Sequence, residues 1–166
     1  AGHAVAALYS GKEIALLTSR RHGEIGGFCS TVERKKEFRT FEELRNEIII
    51  FLSGKASTEI IYNAPDLCAE SDITEASRLA RYYIEKLAIK GFAYLYDGTP
   101  YSGKQPVKRI EEITDKIAET LEELYAESIA LLRKNQKLLE RIAEALFKKE
   151  TLLWENISDL ADQINT

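Results

Sequence analysis

The spacing of apolar residues changes several times in the first part of the chain, which predicts a helix followed by a short β element. Residues 1–10 are rich in alanine and precede Gly11, a typical helix C-cap. They predict the back half of a helix whose front lies outside the sequence. Residues 13–20 and 25–32 are short runs compatible with β-strands, and residues 21–24 between them suit a hairpin loop. We therefore expect these two runs to pair.

Two capping patterns predict the next two helices. Thr40 and Glu43 form a capping box, with a hydroxyl at the N-cap and a carboxylate three residues later, and the helix they open runs to about Tyr62. Asp72 and Glu75 have the same spacing and predict a second capping box. A proline between the two helices ends the first of them.

The rest of the chain is predicted to be an exposed loop followed by helices alone. Residues 91–106 contain five glycines and prolines, which favours a loop. A long helix follows, because apolar residues recur at near-heptad spacing over a charged opposite face: Ile110, Ile113, Ile117, Leu121, Leu124 and Leu131. A second helix, residues 138–147, is expected to fold back on it, and Thr151 to cap a short final helix.

These elements predict a mainly α fold with a small β hairpin or sheet. The 166 residues suffice for one domain, 1–166. Residues 1–106 form its subregion with the β element, and residues 107–166 form a C-terminal helical hairpin or bundle. We expect the long helix to pack through Ile113, Ile117, Leu121 and Leu124.

Composition and charge exclude some classes of protein. Hydrophobic residues make up 45% and charged residues 30% of the chain, as in soluble globular proteins. The net charge of −4 argues against a nucleic-acid partner, and no apolar run approaches the roughly 20 residues that cross a bilayer. Cys29 and Cys68 form no C-x-x-C pair, so we expect reduced thiols in a cytosolic setting. The sequence contains no methionine, so we expect it to begin inside a longer protein.

Three polar residues are candidates for chemistry, and each also has an ordinary structural interpretation. A lone histidine on a helix, such as His3, is more often a surface or core residue than a ligand. Asp72 is explained by capping alone. Glu59 on a predicted helix is typical of a solvated carboxylate. From the residues alone these alternatives stay open.

Four sequence blocks occur in the same order as in one family of proteases. They are Ala-Gly-His-Ala-Val-Ala-Ala at 1–7, Ile-Gly-Gly-Phe at 25–28, Leu-Ser-Gly-Lys-Ala-Ser-Thr-Glu-Ile-Ile at 52–61 and Ala-Glu-Ser-Asp-Ile-Thr-Glu-Ala at 69–76. Together they resemble the peptidase domain of FtsH-type ATP-dependent zinc metalloproteases. The sequence starts inside that family's His-Glu-Ala-Gly-His-Ala-Val motif, which is of the H-E-x-x-H class.

The resemblance implies roles for the three candidates in a zinc site. Two histidines four residues apart lie on one helix face and bind one Zn²⁺, with the intervening glutamate as general base. His3 corresponds to the second histidine ligand, Asp72 to the carboxylate ligand, and Glu59 to a glutamate that orients a liganding histidine. The first histidine and the catalytic glutamate would precede Ala1. This chain is therefore expected to be inactive, with absent or weak zinc binding.

The chain departs from the family pattern at three places. Ser53 replaces a glycine and Thr58 replaces the first of two glutamates, and neither position is a ligand. Residues 63–70 lack the family's Thr-Thr-Gly approach to the aspartate. These differences indicate a divergent branch.

For the intact protein, the resemblance also implies partners and a location. An ATPase domain of the same protein would feed unfolded polypeptides or membrane proteins into a hexameric chamber at the cytoplasmic face of a membrane. Each chain would hold one zinc ion. A substrate strand would add to an open edge at Ile25, Gly26, Gly27 and Phe28, beside His3. This piece of the protein is expected to be soluble.

The resemblance implies ATP dependence for the intact protein, and one alternative function stays open. The 166 residues contain no G-x-x-x-x-G-K-[ST] motif, so ATP is implied only through a domain outside them. The alternative is a non-catalytic helical scaffold or oligomerisation domain derived from the same family. A His-Glu pair directly before this sequence would favour the protease.

Overall fold

The fold is given by a computed structural model that describes residues 1–20, 27–32, 40–64, 69–92 and 107–164. Within these ranges it has six helices and three strands, which confirms the predicted mainly α fold with a small sheet. In chain order they are α1 (Gly2–Tyr9), β1 (Ile14–Thr18), β2 (Phe28–Thr31), α2 (Phe41–Tyr62), α3 (Glu70–Glu85), α4 (Val107–Lys134), α5 (Gln136–Lys149), β3 (Thr151–Leu152) and α6 (Trp154–Asp162).

Helix α1 ends in a left-handed turn at Gly11, as the sequence predicts. Gly11 has φ +68°, a conformation that glycine adopts without strain. Its N–H donates to the carbonyl of Leu8 at 3.0 Å, and the N–H of Lys12 donates to the carbonyl of Ala7 at 2.9 Å. These two bonds satisfy the last carbonyls of the helix and direct the chain into β1.

The sheet has the strand order β2-β1-β3, and both pairings are antiparallel. The predicted pairing of the two N-terminal runs is confirmed, with a register irregularity between Ile14 and Leu16. At the far end of β1, the hydroxyl of Thr18 donates to the carbonyl of Glu150 at 3.0 Å and lies 3.1 Å from the hydroxyl of Thr151. The C-terminal part of the chain is thereby fastened to the N-terminal hairpin.

The prediction of helix alone after the long loop is wrong, because β3 interrupts it. Glu150 has φ 58°, a left-handed conformation that ends α5 and turns the chain back to the sheet. Thr151 lies in β3 and is not a helix cap; α6 begins at Trp154. Leu152 has no exposed surface and pairs with Leu17 of β1, which holds this segment in the extended conformation.

The two predicted capping boxes have different outcomes. At α2, Thr40 accepts from the N–H of Glu43 at 3.2 Å and the Glu43 carboxylate accepts from the N–H of Thr40 at 2.9 Å, as predicted. At α3 the capping box of Asp72 and Glu75 is wrong, because the N-cap is Ala69. Asp72 lies inside the first turn, where a carboxylate interacts favourably with the helix dipole. Its side chain is free to bond elsewhere.

Two hydrophobic clusters form the core, and the first of them draws on both ends of the chain. The first lies around α1, the sheet, α5 and α6 and includes Val5, Ile14, Leu132, Leu139, Ile142, Leu152 and Ile157. The second lies between α2, α3 and α4 and includes Ile48, Leu52, Leu79, Ile84, Ile113, Ile117 and Leu124, with Leu121 partly buried against it. The predicted packing face of α4 is confirmed. Tyr125 packs against both clusters.

Helices α1 and α2 approach each other closely at Gly2. A Cβ added there would meet the backbone oxygen of Ser53 first, and would lie 2.6 Å from the hydroxyl of Ser57. Real Cβ atoms do not approach other atoms this closely, so only glycine fits without moving a helix. Gly2 therefore sets the separation of the two helices.

A polar network joins α2 to α4. The Glu59 carboxylate accepts from the ammonium of Lys55 and from the hydroxyl of Tyr125, and Lys55 also donates to that hydroxyl at 2.9 Å. The hydrogen bonds from Lys55 and then Tyr125 hold the pKa of Glu59 below its usual range. Burial and the bond to Glu59 raise the pKa of Tyr125, so its hydroxyl keeps its proton.

Within the described ranges, no helix has both the length and the apolar character that crossing a bilayer requires.

Gly2→Ala should destabilise the fold by about 1–3 kcal/mol, since the added methyl group overpacks a backbone contact. Urea unfolding measures the loss. Adding Ser57→Ala should not restore stability, because the Ser53 backbone oxygen stays in place. Equal stability of Gly2→Ala and the parent chain would contradict the close approach of the helices.

Glu59→Gln should lower the free energy of unfolding by about 0.5–1 kcal/mol at neutral pH. The lowered pKa of Glu59 means that its contribution is present above the unfolded-state pKa and is lost as pH falls through the folded-state pKa. The difference between the two proteins should therefore shrink in acid, as measured by urea unfolding across pH. In a Lys55→Met background it should be smaller at every pH. A difference independent of pH would rule out an ionised Glu59 in the network.

Candidate metal centre

His3 and Asp72 meet at the junction of α1 and α3. Their Nε2 and Oδ2 atoms are 2.9 Å apart, although 69 residues separate them in the chain. The side chains are 27% and 23% exposed, so they lie in a half-buried position that solvent reaches. At this separation one metal ion could bind both atoms through bonds of about 2 Å.

Helix α1 positions His3 by burying its neighbours. Gly2 is buried and Ala4, Val5, Ala6 and Ala7 have no exposed surface, so the first turns of the helix are fixed against the core. His3 is the half-buried residue of this first turn and faces Asp72. Asp72 is in turn fixed by the first turn of α3, whose Ala76, Leu79 and Ala80 are buried.

Gly54 of α2 lies directly beside the pair. A Cβ built on Gly54 would meet Asp72 Oδ2 first, and would lie 2.7 Å from Cε1 and 2.9 Å from Nε2 of His3. In the sequence, Gly54 belongs to the block at 52–61 that resembles the FtsH family, and nothing local marks it as a site residue. The available signal was a single glycine inside a 22-residue helix, which usually has a packing or functional reason.

Glu59 lies one turn further along α2, and its carboxylate is engaged by Lys55 and Tyr125. The Nε2 atom of His3 bonds to Asp72, so the described contacts do not bring Glu59 and His3 together. The assignment of Glu59 as a residue that orients a liganding histidine stays a prediction.

The predicted substrate strand is described in part. Ile25 and Gly26 lie outside the described residues. Gly27 passes so close to β1 that a Cβ on it would meet the Thr18 carbonyl oxygen. Phe28 begins β2 and is 36% exposed. Among the described strands, β2 pairs with β1 alone, so its outer edge has no strand partner there.

Cys29 of β2 packs against the same core cluster as Ala1, next to the start of α1. It is a free cysteine, and burial raises the pKa of its thiol to about 11. A thiol that keeps its proton at neutral pH is a poor metal ligand, since the thiolate is the binding form. Cys68 lies outside the described residues.

The pair fits part of a zinc site. Imidazole nitrogen and carboxylate oxygen are two of the donors that Zn²⁺ takes, at about 2.0–2.2 Å in tetrahedral geometry, which places neighbouring donors about 3.3 Å apart. The observed 2.9 Å needs only a small adjustment, and the space beside Gly54 would be filled by any side chain. In the part of the chain that is described, no group of three possible ligands occurs.

Comparison with known proteins identifies the family of the chain. The chain is 30% identical over 96% of its length to an ATP-dependent zinc metalloprotease FtsH of Mesomycoplasma conjunctivae. It is 30% identical over 98% of its length to the protein of that name from Thermus thermophilus. The alignments cover 23% and 28% of these relatives, so the chain spans about a quarter of their length. The model of peptidase family M41 matches residues 1–160. The chain therefore belongs to peptidase family M41.

Proposed function

We propose that this chain is the proteolytic region of an ATP-dependent zinc metalloendopeptidase, with His3 and Asp72 as two of its zinc ligands. The observation that carries the proposal is the 2.9 Å approach of His3 Nε2 to Asp72 Oδ2 from two separate helices. Membership of peptidase family M41 supports the proposal.

The two side chains have complementary tasks in this proposal. His3 offers a nitrogen donor and Asp72 a carboxylate oxygen donor, and their half-buried position leaves one side open to a substrate. Zn²⁺ bound there would polarise a scissile carbonyl and lower the pKa of water. The third ligand and the glutamate base would lie in the turn of helix before Ala1, on the same face as His3. Glu59 would orient a liganding histidine.

Substrate binding is proposed at the outer edge of β2. An extended polypeptide at Ile25 to Phe28 would hydrogen-bond through its backbone, which reads sequence weakly and suits unfolded substrates. Support comes from the packing of Cys29 of β2 against the same core cluster as Ala1, at the start of α1. The scissile bond would then pass close to His3.

The partners of the intact protein are also proposed. Relatives that are about four times longer are named ATP-dependent, so ATP would be hydrolysed by an ATPase domain outside these 166 residues. That domain would deliver unfolded or membrane proteins to a hexamer of these chains at the cytoplasmic face of a membrane. The 166 residues alone would bind zinc weakly and would not cleave protein, because a ligand and the base are absent from them.

The proposal predicts that zinc content and activity appear together when the motif is completed. A chain extended by His-Glu and the preceding turn should contain one zinc per chain by elemental analysis and should cleave casein. The 166-residue chain should do neither, since a general base alone contributes about 10²- to 10⁴-fold. In the extended chain, Asp72→Asn should remove most of the zinc and the activity.

Glu75→Gln is the matched control, because Glu75 lies one turn along α3 and bonds to Arg78. It should leave zinc content and casein cleavage unchanged. An extended chain that folds without zinc would instead favour the non-catalytic scaffold. Equal zinc content in Asp72→Asn and the parent would mean that the metal binds elsewhere.

A further inference from the structure

We propose that Gly54 is a positioning residue, which keeps His3 and Asp72 together because it presents no side chain to the surface on which both rest. Its consequence for metal binding rests on the function proposed above. Its steric basis is independent of that function. Gly54 lies inside α2, where glycine is otherwise less favourable than alanine.

The neighbours of Gly54 are the functional atoms themselves. The three atoms nearest to a Cβ on this residue are Asp72 Oδ2, His3 Cε1 and His3 Nε2. All three lie at the far ends of side chains, and none belongs to a backbone. A methyl group at position 54 would therefore occupy the space in which the imidazole and the carboxylate meet.

Gly2 provides the contrast, since it also packs tightly between α1 and α2. The atom nearest to a Cβ on Gly2 is the backbone oxygen of Ser53, which cannot move without α2. A Cβ at Gly2 would therefore displace one of the two helices. A Cβ at Gly54 would instead displace the side chains of His3 and Asp72, which are 27% and 23% exposed and can rotate toward solvent.

The two glycines should respond differently to the same substitution. Gly54→Ala adds a residue that favours helix, and the clash is relieved when the side chains of His3 and Asp72 rotate outward. The protein should stay folded while the pair separates. Glycine at position 54 therefore lowers the stability of α2 but permits the close approach of His3 and Asp72, as expected at a functional site.

The test compares the chain extended by His-Glu and the preceding turn of helix with the same extended chain carrying Gly54→Ala or Gly2→Ala. Thermal unfolding reports the fold, a crystal structure reports the separation of Nε2 and Oδ2, and Zn²⁺ alone is titrated while the NMR signals of the His3 ring are followed. Gly54→Ala should unfold at the parent's Tm or higher, lose the hydrogen bond of the pair, and bind Zn²⁺ at least about tenfold more weakly. Gly2→Ala should unfold at a lower temperature.

Each other outcome contradicts either the positioning role of Gly54 or the proposed metal site. A Gly54→Ala chain that keeps the 2.9 Å hydrogen bond and the parent's Zn²⁺ affinity overturns the inference. So does a Gly54→Ala chain as destabilised as Gly2→Ala, because the backbone would then absorb the methyl group. If the parent's His3 ring does not respond to Zn²⁺ but the pair still separates in Gly54→Ala, the proposed metal site fails and the positioning role stands.

Discussion

The close approach of α1 and α2 is the constraint on which the candidate site depends. At Gly2, which has no side chain, α1 lies against the backbone of α2. At Gly54, α2 leaves space for the side chains of His3 and Asp72. A side chain at Gly54 would occupy the space in which His3 and Asp72 meet, and a side chain at Gly2 would push α1 away from α2. Close packing leaves no room to absorb such a change, since protein interiors are filled to the density of organic crystals. Because Gly2 and Gly54 have no side chains, His3 Nε2 and Asp72 Oδ2 can lie within hydrogen-bonding distance of each other.

The rest of the fold holds α2 in place. It packs against α1, α3 and α4, and the second core cluster lies between it and the latter two. The network of Lys55, Glu59 and Tyr125 adds a polar connection to α4, and Tyr125 reaches both core clusters. The sheet fixes the other side of α1, with β3 joining the C-terminal helices to β1. The half-buried pair thus stands on a rigid support, which a metal centre requires.

Features encoded by neighbouring residues were predictable from the sequence, and those encoded by distant contacts were not. The capping box of Thr40 and the turn at Gly11 follow from local hydrogen bonds. Strand β3 was missed because its partner Thr18 lies 133 residues from Thr151. Asp72 was misread as a cap because its bond is made to His3 on another helix. The family resemblance identified His3 and Asp72 as parts of one site. No local pattern in the sequence could reveal the packing at Gly54.

The central claim is that His3 and Asp72 bind the same metal ion. Anomalous diffraction at the zinc absorption edge, on crystals of the chain extended by His-Glu and one turn of helix, tests it most directly. The account predicts one anomalous peak per chain within bonding distance of both His3 Nε2 and Asp72 Oδ2, about 2.0–2.2 Å from each. A zinc peak that touches neither residue, or that contacts His3 while Asp72 points away, would contradict it.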